Sequence, residues 1–326
     1  MIHPLTDRHN RTIDYLRISV TDRCNLRCGY CVPPTPFTHM KHKEILSYEE
    51  LLRVVKVAVS LGIKKVRLTG GEPFARKGLI PFMEQLSCLD GLEDISVTTN
   101  GTLISDKIDV LKKAGLTRIN ISLDTLRPER FVQITKEDRF EDVIKTLHNA
   151  IDAGLAPVKL NTVLLDGING DELEDFARLT LKHPIHVRFI EYMPIGEGTG
   201  PAKSELLAPA ILKRLEKLGE LTPVTRDAHD GPARRFKLKG ALGEIGLISP
   251  MSNHFCATCN RIRLSADGHL RPCLLSDTKV SLKEPLRKGA DEAAIEQLFR
   301  HAASIKGERH NLLDHHVHDM MCAIGG

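Results

Sequence analysis

Six of the eight cysteines fall into two compact groups, and this grouping constrains the fold more than any other feature of the sequence. The groups are Cys24-x3-Cys28-x2-Cys31 and Cys256-x2-Cys259-x13-Cys273. A closed zinc site takes four protein ligands, and so does a fully coordinated iron–sulfur cube. Because each group brings three thiols together, each is expected to hold its own metal centre with one position open to a non-protein ligand. Zinc completed by a distant fourth ligand remains an alternative, more so for the second group.

The compartment that the sequence implies argues against disulfides. The N-terminus runs from Met1 into charged residues without the apolar segment of an export signal, and no run of 18 apolar residues is present to span a membrane. We therefore expect a cytoplasmic protein without membrane contact, whose clustered thiols serve metal or redox chemistry. Cys88 lies in an apolar stretch and is expected to be buried, and Cys322 is expected to be incidental.

Composition narrows the class of protein further. The 326 residues are 41% hydrophobic and 27% charged, which is enough for one large core or two domains and too apolar for a disordered chain. The formal net charge of +4 comes from 46 basic and 42 acidic side chains. So small an excess permits an anionic substrate but does not indicate a nucleic-acid-binding surface.

Six short runs of strand-like composition alternate with segments of helical spacing. This alternation is typical of parallel βα units, and the runs show little polar–apolar alternation, which predicts strands covered on both faces. Six units are fewer than the eight of a closed barrel, so the sequence predicts a partial (β/α)6 TIM-type barrel, with a doubly wound open sheet as the alternative. The strand runs are Tyr15–Val20, Lys65–Thr69, Ile95–Thr99, Arg118–Leu123, Val158–Leu165 and His186–Ile190. The helical segments include Ser47–Leu61, Val110–Ala114, Phe140–Ala153 and Leu173–Leu181.

Polar and glycine residues follow the predicted strands, at the carboxyl ends where parallel α/β folds keep their active sites. Thr21–Cys24 follows the first strand, Gly70–Pro73 the second and Asn100-Gly101 the third. Asp124 follows the fourth strand and Glu191–Pro194 the sixth. This coincidence favours an active site at that end of the sheet over a random spread of polar residues.

The character of the sequence changes after Pro194. Closely spaced glycines mark a connection there, which divides a barrel domain over residues 1–195 from a C-terminal extension over residues 196–326. The extension is predicted to contain an amphipathic helix over Ser204–Leu218 and short strands at Arg235–Lys239 and Glu244–Ile248. We expect this extension to carry the second metal centre and to lie over the open side of the barrel.

The motifs together resemble a known family. The first cysteine group follows the first predicted strand, has Tyr30 beside its last thiol, and resembles the hallmark of the radical S-adenosylmethionine (SAM) superfamily. Gly70-Gly71-Glu72-Pro73 resembles the glycine motif of that superfamily. The second group is followed by Arg261 and Arg263, and the chain ends in Gly325-Gly326. In these features, and over essentially its whole length, the sequence resembles the GTP 3′,8-cyclase family.

The resemblance implies a set of cofactors and contacts. Each cysteine group would ligate a [4Fe–4S] cluster, and the open iron of the first cluster would bind SAM. Implied contacts to SAM come from Tyr30, Gly71, Ser122 and Met193. Implied contacts to GTP come from Arg17, Arg67, Thr98, Lys159, Arg261, Ile262 and Arg263. Arg17, Arg261, Arg263, Gly325 and Gly326 are implied to be catalytic, with the double-glycine tail reaching into the active site.

Three of the implied cationic contacts also make physical sense without the family. Arg17, Arg67 and Lys159 lie within strand-like apolar runs, where an unpaired charge is costly. Alternate residues of such strands point into a barrel, and guanidinium groups bind phosphates through charge-assisted hydrogen bonds. A bound anion therefore accounts for these cations better than a surface ion pair does.

The family's reaction opens with abstraction of the C3′ hydrogen of GTP by a SAM-derived 5′-deoxyadenosyl radical. C3′ then attacks C8 of guanine, which gives (8S)-3′,8-cyclo-7,8-dihydroguanosine 5′-triphosphate in the first step of molybdopterin biosynthesis. The partners implied are an electron donor such as a flavodoxin or ferredoxin and the downstream cyclic pyranopterin monophosphate synthase. A monomer or homodimer that binds no nucleic acid is expected.

Two other functions stay open at this point. The nearer one is a radical SAM peptide-modifying enzyme with an auxiliary cluster, although a peptide substrate would not require Arg261 and Arg263 in this arrangement. The more distant one is a zinc-dependent nucleic-acid-binding protein, which would need four-ligand sites and a strongly basic face.

Overall fold

The computed structural model describes residues 4–32, 38–195, 204–225, 231–310 and 317–325. The strands within these ranges are β1 (Tyr15–Ser19), β2 (Lys65–Thr69), β3 (Asp94–Thr99), β4 (Arg118–Ser122), β5 (Val158–Leu164), β6 (Ile185–Glu191), β7 (Leu221–Pro223), β8 (Arg234–Leu238), β9 (Glu244–Ile248), β10 (Arg261–Leu264), β11 (His269–Arg271) and β12 (Val280–Ser281). They form one sheet in the order β12-β11-β10-β1-β2-β3-β4-β5-β6-β9-β8-β7.

Helices connect the central strands, as the alternating pattern predicted. The α-helices are α1 (Tyr48–Ser60), α2 (Leu79–Ser87), α3 (Ile108–Lys113), α4 (Pro128–Thr135), α5 (Phe140–Asp152), α6 (Leu173–Lys182), α7 (Ala208–Leu215), α8 (Lys283–Arg287), α9 (Glu292–Ser304) and α10 (Met321–Ile324). Short 3-10 helices lie at His42–Glu44, Pro73–Ala75, Gly170–Glu172, Ser204–Leu206, Glu216–Leu218 and Cys256–Thr258.

The parallel arrangement extends beyond the six predicted units. Strands β1 to β6 pair in sequence order, all parallel, which confirms those units. Strand β9 adds to β6 and β10 adds to β1, both also parallel, and antiparallel strands complete each edge. The C-terminal part thus forms both edges of the sheet, and the expectation that it only lies over the open side is wrong. The boundary between residues 195 and 196 stays a prediction and adjoins a segment outside the described residues.

Apolar and polar side chains alternate along the central strands. The apolar positions are at most 3% exposed and pack in one core with the helices. Examples are Leu16, Ile18, Val66, Leu68, Ile95, Val97, Ile119, Ile121, Leu160 and Val187. The polar positions form rows across neighbouring strands, such as Arg263, Arg17, Arg67 and Ser96. The expectation of little alternation is therefore wrong, because the second face of the sheet is enclosed but polar.

The sheet curves around this polar face into a partial barrel. Arg188 on β6 donates from Nε to Oδ1 of Asn161 on β5 at 2.9 Å and from Nη2 to Asn120 on β4. In a flat sheet, Arg188 would lie about 19 Å from Arg67 on β2. Instead, burial and the charge of Arg67 lower the pKa of Arg188 to about 9. The polar rows therefore face one another across a lumen.

Local sequence signals account for helix boundaries, and one expected helix is wrong. Ser47 accepts from the backbone N of Glu50 at 3.2 Å, and the Glu50 carboxylate accepts from the N of Ser47 at 2.7 Å, so the predicted capping box begins α1. The single helix expected over Ser204–Leu218 is instead three short pieces. Pro209 has no N–H to donate, and its ring clashes with a helical carbonyl four residues earlier. It is therefore tolerated in the first turn of α7 but prevents that helix from extending back to Ser204.

A helix that crosses a bilayer needs about 20 predominantly apolar residues. Among the described residues, no helix is long and apolar enough to cross a membrane.

Candidate active site

The first cysteine group lies in the loop that leaves the carboxyl end of β1. The Cys24 sulfur accepts from the backbone N of Leu26 at 3.4 Å and from Nδ2 of Asn100 at 3.7 Å. N–H groups directed at sulfur suit a thiolate that ligates an iron–sulfur cluster. Burial raises the pKa of Cys24 and of Cys28, so both thiols are protonated without metal and would release their protons on ligation.

The glycine motif lets two loops meet without side chains between them. Gly71 N donates to Thr21 O at 2.8 Å, and Glu72 N donates to Arg23 O at 2.8 Å. A Cβ on Gly70 would lie 2.3 Å from Thr21 O, and one on Gly71 would lie 2.4 Å from Arg23 O. Only glycine fits such an approach, so the motif fixes the loop that leads into the first cysteine group.

Glu72 of this motif is fully buried and organises the ends of β2 and β3. Its carboxylate accepts from Thr99 Oγ1 at 2.8 Å, from Asn100 N at 2.7 Å and from Phe74 N at 3.1 Å. Burial raises its pKa to about 7, even though these three hydrogen bonds favour the charged form. Because Asn100 also reaches the Cys24 sulfur, Glu72 connects the glycine motif to the first cysteine group.

Tyr30 connects the first cysteine group to the ends of β4 and β5. Its hydroxyl donates to Oδ2 of Asp124 at 2.7 Å, while Oδ1 of Asp124 accepts from Val163 N at 2.8 Å. Burial raises the pKa of Asp124 to about 6, and the hydrogen bond from Tyr30 acts in the opposite direction. The two other predicted SAM contacts also lie at strand ends, with Ser122 as the last residue of β4 and Met193 two residues beyond β6.

The second cysteine group lies at the opposite end of the sheet. Cys256 and Cys259 precede β10, and Cys273 follows β11, which is antiparallel to β10. All three thiols line a cavity of about 520 Å³. The expectation of chemistry only at the carboxyl ends is therefore incomplete, because this group lies at the amino end of β10. The space far exceeds the roughly 30 Å³ that a water molecule takes, and it suits a polyatomic group.

Two buried cations that the sequence analysis missed hold the second cysteine group. Arg11 donates to Cys256 O at 2.7 Å and to the carbonyls of Gly307 and Glu308, and its Nε pairs with Asp7 at 2.6 Å. Lys306 is 3% exposed and donates to the carbonyls of Arg261, at 3.0 Å, and Pro272. Burial alone would raise the pKa of Cys259, but the charges of Arg261 and Lys306 outweigh it and lower that pKa to about 6.

Predicted phosphate-binding cations lie in the lumen between the two cysteine groups. Arg17 is in register with Arg67 on β2 and with Arg263 on β10. Arg261 lies two residues before Arg263 on β10, in register with Tyr15. Burial and the charge of Arg263 lower the pKa of Arg17, and burial and the charge of Arg261 lower that of Arg263 to about 10. These cations therefore repel one another, and a bound anion would relieve that repulsion.

The remaining predicted contacts are neutral or lie further round the barrel. Lys159 on β5 is 6% exposed and is level with Asn120. The hydroxyl of Thr98, on β3, is buried without a hydrogen-bond partner among the described residues. Ile262 belongs to the other face of β10 and is part of the apolar core, so its side chain does not line the lumen.

The described end of the C-terminal tail enters the lumen beside the first cysteine group. Arg263 donates from Nη1 to Gly325 O at 2.7 Å, and Ser19 Oγ donates to Ala323 O at 3.4 Å. The thiol of Cys322 is buried and hydrogen-bonded to that of Cys31, so the expectation that Cys322 is incidental is wrong. Gly326 lies outside the described residues, and its predicted role stays a prediction.

The donor sets fit iron–sulfur clusters at both places. Among the described side chains, no three His, Cys, Asp or Glu residues converge as ligands of a single metal ion. A cubane carries its ligands on separate iron atoms, so its thiolates do not need to meet at one point. Amide groups directed at sulfur suit the first site, and buried cations around a thiol-lined cavity suit the second. Cys88 belongs to neither site and is exposed at the end of α2, so the expectation of burial is wrong.

Comparison with family models divides the chain into two matched parts. Residues 18–180 match the Radical SAM superfamily, and residues 185–312 match Molybdenum Cofactor Synthesis C. The first match includes the first cysteine group and the glycine motif, and the second includes the second cysteine group and Lys306.

Two relatives of similar length carry the same name. A GTP 3′,8-cyclase from Heliobacterium modesticaldum is 48% identical over 99% of this chain and 100% of its own. One from Pelotomaculum thermopropionicum is 46% identical over 95% of this chain and 96% of its own.

Solved structures of low sequence identity share the fold. Streptococcus suis SuiB bound to S-adenosylmethionine has a TM-score of 0.61 at 17% identity and covers 89% of this chain and 69% of its own. The same protein bound to precursor peptide SuiA has a TM-score of 0.64 at 15% identity and covers 97% and 78%. At such identities the likeness concerns the fold alone.

Proposed function

The chain belongs to the GTP 3′,8-cyclase family of radical SAM enzymes, and we propose that its barrel lumen binds GTP between two iron–sulfur clusters. It is an enzyme of molybdenum cofactor biosynthesis that uses SAM and iron–sulfur clusters, one of them in its C-terminal part. The observation that carries the proposal for the site is the set of mutually repelling lumen cations between two three-thiol groups.

Cys24, Cys28 and Cys31 would hold the first cluster, and Cys256, Cys259 and Cys273 the second. When bound, the first cluster and SAM supply the 5′-deoxyadenosyl radical that abstracts hydrogen from C3′ of GTP. The cysteine groups lie at opposite ends of the short strands β1 and β10, a spacing of roughly 15 Å along the lumen. A nucleotide bound between them would have its base near one cluster and its ribose nearer the other.

The protein would orient GTP through its charges. Arg17, Arg67 and Arg263 form one row, in which forked guanidinium groups suit the oxygens of a triphosphate. We assign Lys159 and Arg261 to the same role and Thr98 to a neutral hydrogen bond. Ile262 would contribute through its backbone alone, since its side chain is in the apolar core.

At the carboxyl ends of the strands, Tyr30, Gly71, Ser122 and Met193 would contact SAM. Tyr30 is held by Asp124, and Gly71 is held by Thr21 O, so neither needs to move to form a site. The tail that carries Gly325 would close the lumen and exclude water from the radical.

Membership of the family implies partners for the reaction. An electron donor such as a flavodoxin or ferredoxin would reduce the first cluster, and cyclic pyranopterin monophosphate synthase would consume the product. We propose that the enzyme acts as a monomer or homodimer.

Anaerobic metal analysis and one turnover assay test the proposal. We expect about eight irons per reconstituted chain, and about four after Cys273→Ser, because each cubane contains four irons. The exposed Cys88→Ser is the matched control and should keep all eight. With SAM and a reductant, 5′-deoxyadenosine should form only when GTP is added. Zinc in place of iron, or 5′-deoxyadenosine formation independent of GTP, would contradict the proposal.

A further inference from the structure

The hydroxyl of Tyr15 is a buried polar group to which the proposed site gives no role. Tyr15 begins β1, is 6% exposed, and donates its backbone N to Asn260 O at 3.2 Å. Its side-chain oxygen has no hydrogen-bond partner among the described residues. A buried hydroxyl without a partner is costly unless water or a ligand supplies one, and on the lumen face a bound nucleotide is within reach to do so.

The surroundings of Tyr15 indicate the chemistry of that ligand. Tyr15 is two residues before Arg17 on the same strand, so both side chains lie on the lumen face. The guanidinium of Arg67 lies 5.4 Å from the centre of the Tyr15 ring. Tyr15 is therefore part of the cationic centre of the lumen.

Cations alone cannot satisfy this hydroxyl as a donor. Guanidinium groups have five N–H donors and no acceptor, so the O–H of Tyr15 needs an oxygen from elsewhere. A phosphate oxygen between these arginines accepts from them and from the hydroxyl together.

We propose that Tyr15 binds the nucleotide by donating a hydrogen bond from its hydroxyl to a phosphate oxygen. This inference rests on the proposed function, because it takes GTP as the occupant of the lumen. It adds a neutral donor to the phosphate site and explains why a tyrosine, rather than another apolar residue, begins β1.

Tyr15→Phe tests the proposal, since it removes the hydroxyl and keeps the ring. In the reconstituted full-length enzyme, equilibrium dialysis without reductant should show about tenfold weaker binding of GTP, the usual scale for a hydrogen bond to a charged group. Binding of guanosine, which has no phosphate, should be unchanged. Iron content and SAM binding should also match the wild type, and in turnover KM for GTP should rise while kcat stays near that of the wild type.

Tyr48→Phe is the matched control. The Tyr48 hydroxyl is also buried without a described partner, and its ring lies 4.1 Å from the guanidinium of Arg76. Its ring stacks on Phe82 in the core outside the lumen, so GTP binding should be unaffected.

Each other outcome would overturn the proposal. Wild-type affinity for GTP in Tyr15→Phe would exclude the hydrogen bond, and an equal loss for guanosine would assign Tyr15 to the base or ribose. A loss of iron would assign it to the fold of the cluster loops instead. If the wild-type enzyme bound no GTP, the proposed function would fail and this contact with it, whereas wild-type binding with an unchanged variant removes this contact alone.

Discussion

At the scale of single residues, the buried cations near the second cysteine group differ from those of the lumen in what they contact. Lys306 lines the same cavity as the thiols, and its ammonium donates to the backbone carbonyls of Arg261 and Pro272. Arg11 does the same for Cys256 and the chain after α9. Lys306 helps to lower the pKa of Cys259, and both cations fix the backbone around the thiols, whereas we propose that the lumen cations bind a ligand that leaves.

Lys306→Met should make Cys259 harder to ionise. The pKa of Cys259, about 6, is low because Arg261 and Lys306 outweigh the effect of burial, so this thiol is mostly thiolate at pH 7. Without the ammonium, the pKa should rise, and alkylation of Cys259 by iodoacetamide at pH 7 in iron-free protein should be roughly three- to tenfold slower. Peptide mass spectrometry over a pH series measures the change. Lys64→Met, at an exposed lysine paired with Glu93, is the control, and an unchanged midpoint in Lys306→Met would contradict the prediction.

Arg263→Ala should abolish most turnover while both clusters remain. Arg263 is 7% exposed, belongs to the lumen row and donates to Gly325 O, so its loss removes a proposed phosphate partner and a tail contact together. We expect GTP-dependent 5′-deoxyadenosine formation to fall about 100-fold, the scale for losing charge-assisted hydrogen bonds. Iron content is measured in the same samples. Arg300→Ala, at a half-exposed arginine paired with Glu296 on α9, should keep full activity, and equal activity in both variants would refute the role of Arg263.

Part of the site could be predicted from the sequence and part could not. Cysteine spacing and the glycine motif are local, so they marked the first group and its loop. Arg11 and Lys306 have no such signal, because Arg11 reaches Cys256 across 245 positions. Tyr15 was missed for the same reason, since its meaning depends on the arginines of other strands. Cys322 was misjudged because only the folded tail brings it to Cys31.

At the scale of elements, local sequence signals predict where strands begin and end. Which side of each strand faces the lumen depends on tertiary structure. The predicted strand of Lys65–Thr69 has the observed bounds, and the other five are within one residue at each end. The alternation of polar and apolar residues along these strands is hard to recognise in the sequence, because the few polar lumen positions are outnumbered by apolar neighbours. The first-strand residues Arg17 and Ser19 alternate with Leu16 and Ile18, and only the partner strands show that this alternation continues across the sheet.

Ser47→Ala should destabilise the protein without affecting its chemistry. The capping box at the start of α1 satisfies two backbone N–H groups, and α1 lies outside the lumen. Loss of an N-cap hydroxyl costs about 1 kcal/mol of free energy of unfolding. Chemical denaturation under anaerobic conditions measures this loss, and the turnover rate should be unchanged. Ser60→Ala removes a hydroxyl at the other end of the same helix, where among the described residues it bonds Val57 O alone, and should cost less than about 0.5 kcal/mol. Equal losses in the two variants would argue against the cap.

At the scale of the whole molecule, C-terminal segments pack against N-terminal ones. Strand β10 pairs with β1, Arg11 holds Cys256, and the tail lies against Ser19 of β1. Each cysteine group is thus contacted by a segment from the opposite end of the sequence. These contacts connect the second cluster, the lumen cations and the tail. A change in the tail should therefore lower the turnover rate without loss of either cluster.

Gly325→Ala tests that link. Gly325 has a φ of 70°, and a Cβ there would lie 2.7 Å from Thr69 Cγ2 and 3.1 Å from Ser19 Cβ, so alanine should lift the tail from the lumen. We expect GTP-dependent turnover to fall about tenfold or more, because the tail no longer excludes water. Carboxypeptidase should release C-terminal residues faster than in the wild type, while iron content stays the same. Gly289→Ala is the control, since Gly289 has a φ of 82° but no atom within 4 Å of its Cβ position. It carries the same backbone strain without the contact, so it should lose stability and keep its turnover. Full turnover in Gly325→Ala, or an equal loss in Gly289→Ala, would show that the docked tail does not support the reaction.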